Sequence, residues 1–218
     1  MSNIKEDIQL NKIKIVNETS KNFLIQLQES CQSTYDRLSK NLDREQDEVC
    51  KDINKNIFGY SLQTEILKVF ATLAKKNGLK VSSQKNKAKN YTVPIITTDS
   101  YIIGCIVDQT DRWKNSSYMK NLTRHNQCLN QVNYDFFEEV PEIKIEKLFI
   151  YLKIDLNSGI LFFNLCIPYD QDLVKSFAQF SIDDALTAFD ENSSEVRKSP
   201  SRNVRLKKKK SIQKIQNC

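Results

Sequence analysis

Two apolar runs separated by Asn157-Ser158-Gly159 set the strongest constraint on this chain. Ile145 to Leu156 alternates or runs apolar, and Ile160 to Ile167 does so again. A turn of that composition accepts positive φ, so the runs fold back on each other as an antiparallel hairpin. Further strands are expected at Leu79 to Ser83, Tyr91 to Thr97 and Tyr101 to Val107, the last two joined by Thr98-Asp99-Ser100. Pro94 cannot donate to a ladder and predicts an edge position for its strand.

Helical periodicity accounts for much of the rest. Residues 1–18 fit no single period. From Ser20 to Ile57, Leu24, Leu27, Cys31, Tyr35, Leu38 and Leu42 follow three- and four-residue steps, and the stripe resumes at Val49, Ile53 and Ile57. Such a stretch serves either as a coiled coil or as a helix pair packed on its own domain, with Asp43 to Glu48 as a turn. A second helix, capped by Ser61 and ended by Gly78, buries Leu62, Ile66, Leu67, Phe70 and Leu73. Asn115 to Gln131 reads as a helix with Met119, Leu122, Asn126 and Leu129 on one side. Asp170 to Phe189 reads as a last helix with Leu173, Phe177, Phe180 and Leu186 inward. Strands joined by hairpins, with no β-α-β alternation, predict an antiparallel sheet.

The expected fold is therefore α+β. A helical arm, possible as a coiled coil, covers 1–57. A globular domain with an antiparallel sheet of about five strands and covering helices spans 58–190, and a disordered basic tail fills 191–218. In outline this arrangement resembles the short coiled coil plus small α+β module of several kinetochore and chromatin scaffold proteins.

Composition removes several chemistries. The four glycines, Gly59, Gly78, Gly104 and Gly159, lie far apart. A P-loop, a dinucleotide fingerprint and a nucleophile elbow each need clustered glycines and are excluded. His125 is the single histidine. It has Cys128 three residues on, but two ligands make no metal site. Neither cofactor nor metal is expected. The six cysteines, Cys31, Cys50, Cys105, Cys128, Cys166 and Cys218, contain no C-x-x-C. They read as reduced thiols, with Cys105 and Cys166 in the core and Cys218 exposed. No segment reads as a signal peptide or a membrane span. Trp113, the one tryptophan, reads as a loop anchor.

Charge is unevenly distributed. From Glu191 to Cys218, nine Lys or Arg stand against Glu191 and Glu195, while the other 190 residues carry 24 basic and 25 acidic side chains. Within the tail, Arg205, Lys207, Lys208, Lys209 and Lys210 form a compact cluster of the kind read as an import signal or a phosphate contact. Ser199-Pro200-Ser201-Arg202 resembles the target of proline-directed kinases, and Ser193 and Ser194 sit among acids. Phosphate at Ser199 would add roughly −1.5 to −2 charge beside the cluster and weaken its grip. A second basic stretch has no acid between Glu65 and Asp99 but holds Lys68, Lys75, Lys76, Lys80, Lys85, Lys87 and Lys89. Lys85, Lys87 and Lys89 fall near a hairpin tip that would contact a phosphate backbone or an acidic partner, or else protect an edge strand from aggregation.

The carboxylates support a rival reading. Asp108, Asp111 and Asp155 near strand ends, with Glu65 on a helix and Lys153 beside Asp155, faintly resemble the metal-holding core of restriction endonucleases. The acid-spacer-Lys order is reversed here, so an enzyme is the less favoured option. The leading expectation is a non-enzymatic nuclear or chromatin-associated interaction protein. Its helical arm would pair with itself or a protein partner through Leu24, Leu27, Leu38 and Leu42, and its tail would contact DNA or RNA or serve import, with no membrane involved. It would be nuclear in a eukaryote and cytoplasmic otherwise. The alternatives are a Mg-dependent nuclease-like enzyme, or a viral or bacterial accessory protein that inhibits a partner.

Overall fold

The computed structural model describes residues 2–44, 48–85, 92–107, 117–126, 129, 147–169 and 175–198. Three helices come first: α1 (Ser2–Thr19), α2 (Lys21–Asp43) and α3 (Glu48–Lys76). Strands β1 (Lys80–Lys85), β2 (Thr92–Thr97) and β3 (Tyr101–Val107) follow. A short helix α4 (Ser117–Thr123) runs into a 3-10 turn at Arg124–Asn126. The chain then forms β4 (Leu148–Asn157), β5 (Ile160–Pro168), β6 (Ser176–Ser181) and α5 (Ile182–Lys198). The class is α+β, as the sequence predicts, but the sheet has six strands.

The strands lie in sequence order, and every neighbouring pair is antiparallel except β3 and β4, which are parallel. The expected all-antiparallel sheet is thus corrected to a mixed one. A parallel pair needs a crossover of a dozen or more residues, and the segment from 108 to 147 supplies it. The turn signals in that segment contain no tight two-residue loop, so nothing required a hairpin there.

Both faces of the sheet are covered. On one face, Ile96, Ile103, Ile150, Leu152, Ile154, Leu161, Phe163 and Leu165 pack against Ile15, Phe23, Leu27, Ile66 and Phe70 of the three N-terminal helices. Ile182 and Ala185 of α5 close the same core. On the other face, Met119 and Leu122 of α4 cover Ile95, Ile106, Phe149, Tyr151 and Cys166. The arm expected over 1–57 is therefore part of this core. The division at 57 falls inside α3, which runs unbroken through Gly59, Tyr60 and Ser61. Ser61 is not a cap, because the apolar face of α3 continues on both sides of it. Gly78 does end α3: at φ 77° it donates to Lys75 O, while Leu79 N–H reaches Ala74 O at 2.9 Å. This is the six-to-one bond of a Schellman turn.

Other boundaries also move. Residues 1–18 gave no period, yet α1 is helical and buries Ile15 and Val16. Ser20 alone separates it from α2, at φ 73°, and its hydroxyl accepts from Phe23 N–H at 3.1 Å. Of the helix expected over 170–189, residues 170–174 with Leu173 lie outside the described residues, and the rest forms β6 and the start of α5. Ala178 and Phe180 face the core at a period of two. Ser181 then caps α5 reciprocally with Asp184: Ser181 N–H donates to Asp184 Oδ2 at 3.1 Å and Asp184 N–H to Ser181 Oγ at 3.0 Å. Ser-x-x-Asp was a readable signal of that start. α5 continues through Glu191–Lys198, so these residues are helical rather than part of a disordered tail. β2 is interior, not an edge. Its pairing with β3 covers only Ile95 to Thr97, so at Pro94 the strand is bonded on the β1 side alone. Proline costs little where the ladder is one-sided.

The β4–β5 hairpin matches its sequence signal. Asn157 pairs with Ile160, and Ser158 and Gly159 sit at φ 50° and 84°, the geometry of a two-residue primed turn. Gln32 of α2 clamps it, donating to Gly159 O at 3.1 Å and accepting from Leu161 N–H at 2.9 Å. A second clamp joins α1 to the β2–β3 turn: Glu18 Oε2 accepts from Thr98 Oγ1 at 2.6 Å and from Ser100 N–H at 2.9 Å. Burial alone would raise the Glu18 carboxyl, but the Thr98 and Ser100 bonds outweigh it and hold the group below its ordinary value. A third clamp is Asn126, fully buried, which donates to Phe149 O and Pro168 O and accepts from Phe149 N–H at 2.7 Å.

Asn126→Ala strands three buried backbone groups, and each costs about 1–3 kcal/mol when unsatisfied. Denaturant unfolding is expected to show a loss of about 3 kcal/mol or more, and Asn126→Asp a larger one, since its carboxylate faces two carbonyls. For Glu18, the depressed folded value means its stabilisation is complete above the ordinary value of 4.5 and is lost as pH falls through the folded value. Glu18→Gln is expected to cost about 1–2 kcal/mol at neutral pH. The gap to the parent should narrow as pH falls below the ordinary carboxyl value of 4.5 and through the depressed folded one, read as unfolding midpoints across a pH series.

Candidate interaction groove

α3 has two faces because its apolar residues obey helical spacing. Leu62, Ile66, Phe70 and Ala74 point into the core, with Phe58 and Leu73 partly buried behind them. About a third of a turn away, positions 49, 57, 60, 64, 67, 68, 71 and 75 fall within one arc of the helix surface. Its N-terminal part is apolar and exposed: Val49 is 69% accessible, Ile57 52% and Tyr60 67%. Among the described side chains, the core contribution of α3 begins at Phe58, which meets Tyr35 of α2 edge-on at 5.9 Å.

The C-terminal part of that arc forms a groove of about 530 Å3 with the first two strands. One wall is Tyr60, Thr64, Lys68, Ala71 and Lys75; the other is Val81, Ser82, Ser83, Thr92 and Pro94, with Leu67 between them. No acid lines it. Glu65 sits nearby and is already engaged, accepting from Lys68 at 2.7 Å with Arg37 at 3.7 Å. The hydrogen bond from Lys68 holds the Glu65 carboxyl below its usual range, against a small opposing effect of burial. β1 begins the strand order, so its outer edge carries no neighbouring strand among the described residues. Lys80 and Lys85, both exposed, stand at the ends of that edge, and Val81 to Gln84 between them are uncharged.

The acid-free stretch between Glu65 and Asp99 is thus gathered partly into one place. Lys68 and Lys75 line the groove, and Lys85 lies on β1 opposite Thr92. Lys87 and Lys89 fall outside the described residues, as do Arg205, Lys207, Lys208, Lys209, Lys210 and Ser199. Reading the lysines alone missed Tyr60, Thr64, Ser82 and Ser83. Extending the Val49–Ile57 stripe through Ser61 instead of stopping there would have found the first two.

Of the carboxylates in the nuclease-like set, only Asp155 and Glu65 fall among the described residues, and these two lie apart. Lys153 and Asp155 pair at 2.8 Å on the α4 side of the sheet, near Cys166, while Glu65 is on the helix-covered side. Asp108, Asp111, Trp113 and Cys128 lie outside the described residues. His125 is exposed in the 3-10 turn. Among the described residues no three His, Cys, Asp or Glu side chains converge, and no helix is long and apolar enough to cross a membrane. Leu24 and Leu27, expected to pair with a partner, are buried inside this chain, and Leu38 and Leu42 are half-buried. No protein-family model matches the chain, and no curated protein or solved structure gives a significant match.

Cys105 and Cys166 are core residues, as their sequence setting predicts, and Cys31 joins them. Burial pushes the Cys31 thiol up to about 12, Cys166 to about 11, and Cys105 well above its ordinary value. Thiols so protonated are poor nucleophiles at neutral pH. With Cys128 and Cys218 replaced by Ser, a thiol-reactive dye at pH 7 is expected to label Cys50, which is exposed, in the native protein. The three buried thiols should react only on unfolding. Fast labelling of any of them in the folded state would contradict the packing described.

Proposed function

We propose that this protein is a non-enzymatic nuclear or chromatin-associated interaction protein that self-assembles through its helical hairpin and uses its basic tail for import or weak nucleic-acid contact. The exposed apolar stripe of Val49, Ile57 and Tyr60 carries the assembly part of the reading. Three large apolar side chains on one helix face, beyond the point where that helix enters its own core, are better explained by a covering surface than by solvent. A second copy suits the face. In sequence, Glu48 and Asp52 alternate with Lys51 and Lys55 along the segment, a charge pattern compatible with antiparallel self-pairing. This shifts the assembly surface from Leu24 and Leu27, which serve the core, to the outer face of α3.

The tail part rests on the Arg205–Lys210 cluster and on Ser199 next to Pro200. α5 is tied back to α2 by the Lys21–Asp190 ion pair at 2.7 Å, so a tail starting at Ser199 can be removed without disturbing that contact.

Light scattering after size exclusion is expected to show a dimer that Val49→Glu with Ile57→Glu converts to a monomer of unchanged thermal stability. Deleting 199–218 should lower nuclear accumulation and nucleic-acid binding while the fold and the dimer persist. A monomeric parent at tens of micromolar would overturn the assembly reading. Unchanged localisation and binding after the deletion would overturn the tail reading.

A further inference from the structure

We infer that the groove between α3 and β1 binds an extended acidic peptide of a partner protein, added as a seventh strand to the free edge of β1. This deepens the interaction reading by giving it a second surface, adjoining the first at Tyr60, with a defined ligand chemistry. Edge strands are normally blunted by charge, Pro or a covering element. Here the charge stands only at the two ends, Lys80 and Lys85, and the four residues between are uncharged. Among the described residues, lysines placed only there leave the middle of the edge open to pairing, which favours strand addition over edge protection.

The groove adds what a bare edge lacks. A strand laid beside β1 alternates its side chains between the two faces of the sheet. Those on the helix side meet Tyr60, Thr64, Lys68, Ala71 and Lys75 of α3. Lys68 and Lys75 are seven residues apart, two helical turns, so they mark two positions along the peptide for carboxylates. Between them, Ala71 leaves space, and Leu67, Val81 and Pro94 offer apolar contact to a small side chain. Among the described residues the lining holds no acid, and none occurs in sequence between Glu65 and Asp99; with Lys68 shared with Glu65, Lys75 is the cation that most favours a negatively charged ligand. A nucleic acid is the less suitable anion, because among the described lining residues Tyr60 is the one aromatic side chain and single strands bind through successive stacking platforms.

The test uses the full chain and a fluorescein-labelled peptide alternating Glu with Val, followed by anisotropy. Binding is expected, with at least a ten-fold loss for Lys68→Glu with Lys75→Glu. A similar loss is expected for Ala71→Trp, which fills the groove without changing charge. Replacing Glu by Lys in the peptide should abolish binding. Methylating alternate backbone amides along one edge of the peptide should abolish it too, while methylating the other edge should leave it intact. Equal loss from both methylation patterns, or none from either, would overturn strand addition. Tighter binding of an oligothymidylate that the same lysine variants weaken would overturn the choice of a peptide. Light scattering of the Lys68/Lys75 and Ala71 variants is expected to remain that of the parent, so failure here is distinguishable from failure of the assembly reading.

Discussion

The helix-side face of the sheet governs this structure. Ile96, Ile103, Ile150, Leu152, Ile154 and Phe163 form an apolar surface that must be removed from water, and α1, α2, α3 and α5 lie over it. Each such side chain contributes on the order of 1.5–3 kcal/mol when fully buried. α3 therefore commits Leu62, Ile66, Phe70 and Ala74 to β1–β3, and its rotation about its own axis is settled by that contact. The opposite arc has no choice but to face outward. Val49, Ile57 and Tyr60, and then Lys68 and Lys75, are displayed because the core side of the same helix is satisfied.

Burial alone would leave the helices free to slide over the sheet. Three polar clamps stop this, each pairing a side chain with the backbone of a turn or strand end. Glu18 holds the β2–β3 turn, Gln32 the β4–β5 turn, and Asn126 the start of β4 against the end of β5. All three satisfy backbone groups that the ladder leaves over, so they add direction to an otherwise non-directional core. Tyr101 contributes in the same manner, its hydroxyl donating to Asn11 of α1 at 2.7 Å. The hydroxyl is held protonated by burial and by the nearby Glu18 charge.

What could be read in advance follows from range. Asn157-Ser158-Gly159 and Gly78 act on their own neighbours, so the hairpin and the end of α3 were legible. The inward faces of α2 and α3 were legible too, because a 3.6-residue period is a local property. The parallel pairing of β3 with β4 was not, since it depends on where a chain returns after forty residues. β6 was hidden because Phe177 and Phe180 are three apart, a helical spacing that its neighbour Ala178 contradicts only once the core is known. The clamps were illegible for the same reason: Glu18 and Ser100, or Gln32 and Gly159, share no pattern in sequence. Of the groove, its lysines were visible and its walls were not, because Tyr60 and Thr64 belong to a helix that seemed to begin at Ser61.

Several ionisable groups of this protein are held by their own surroundings. Its buried thiols are driven toward the protonated state by burial, Asp155 is engaged by Lys153, and Glu65 by Lys68. The outer face of α3 carries an apolar stripe and then a groove lined by Lys68, which Glu65 already engages, and Lys75. They meet at Tyr60, which ends the first and begins the second. A second copy seated on Val49 and Ile57 reaches the mouth of the groove at that ring, and a peptide in the groove reaches the same ring from the other side. On the proposed reading the two occupants therefore share a contact residue, and any energetic coupling between assembly and ligand binding has to pass through it.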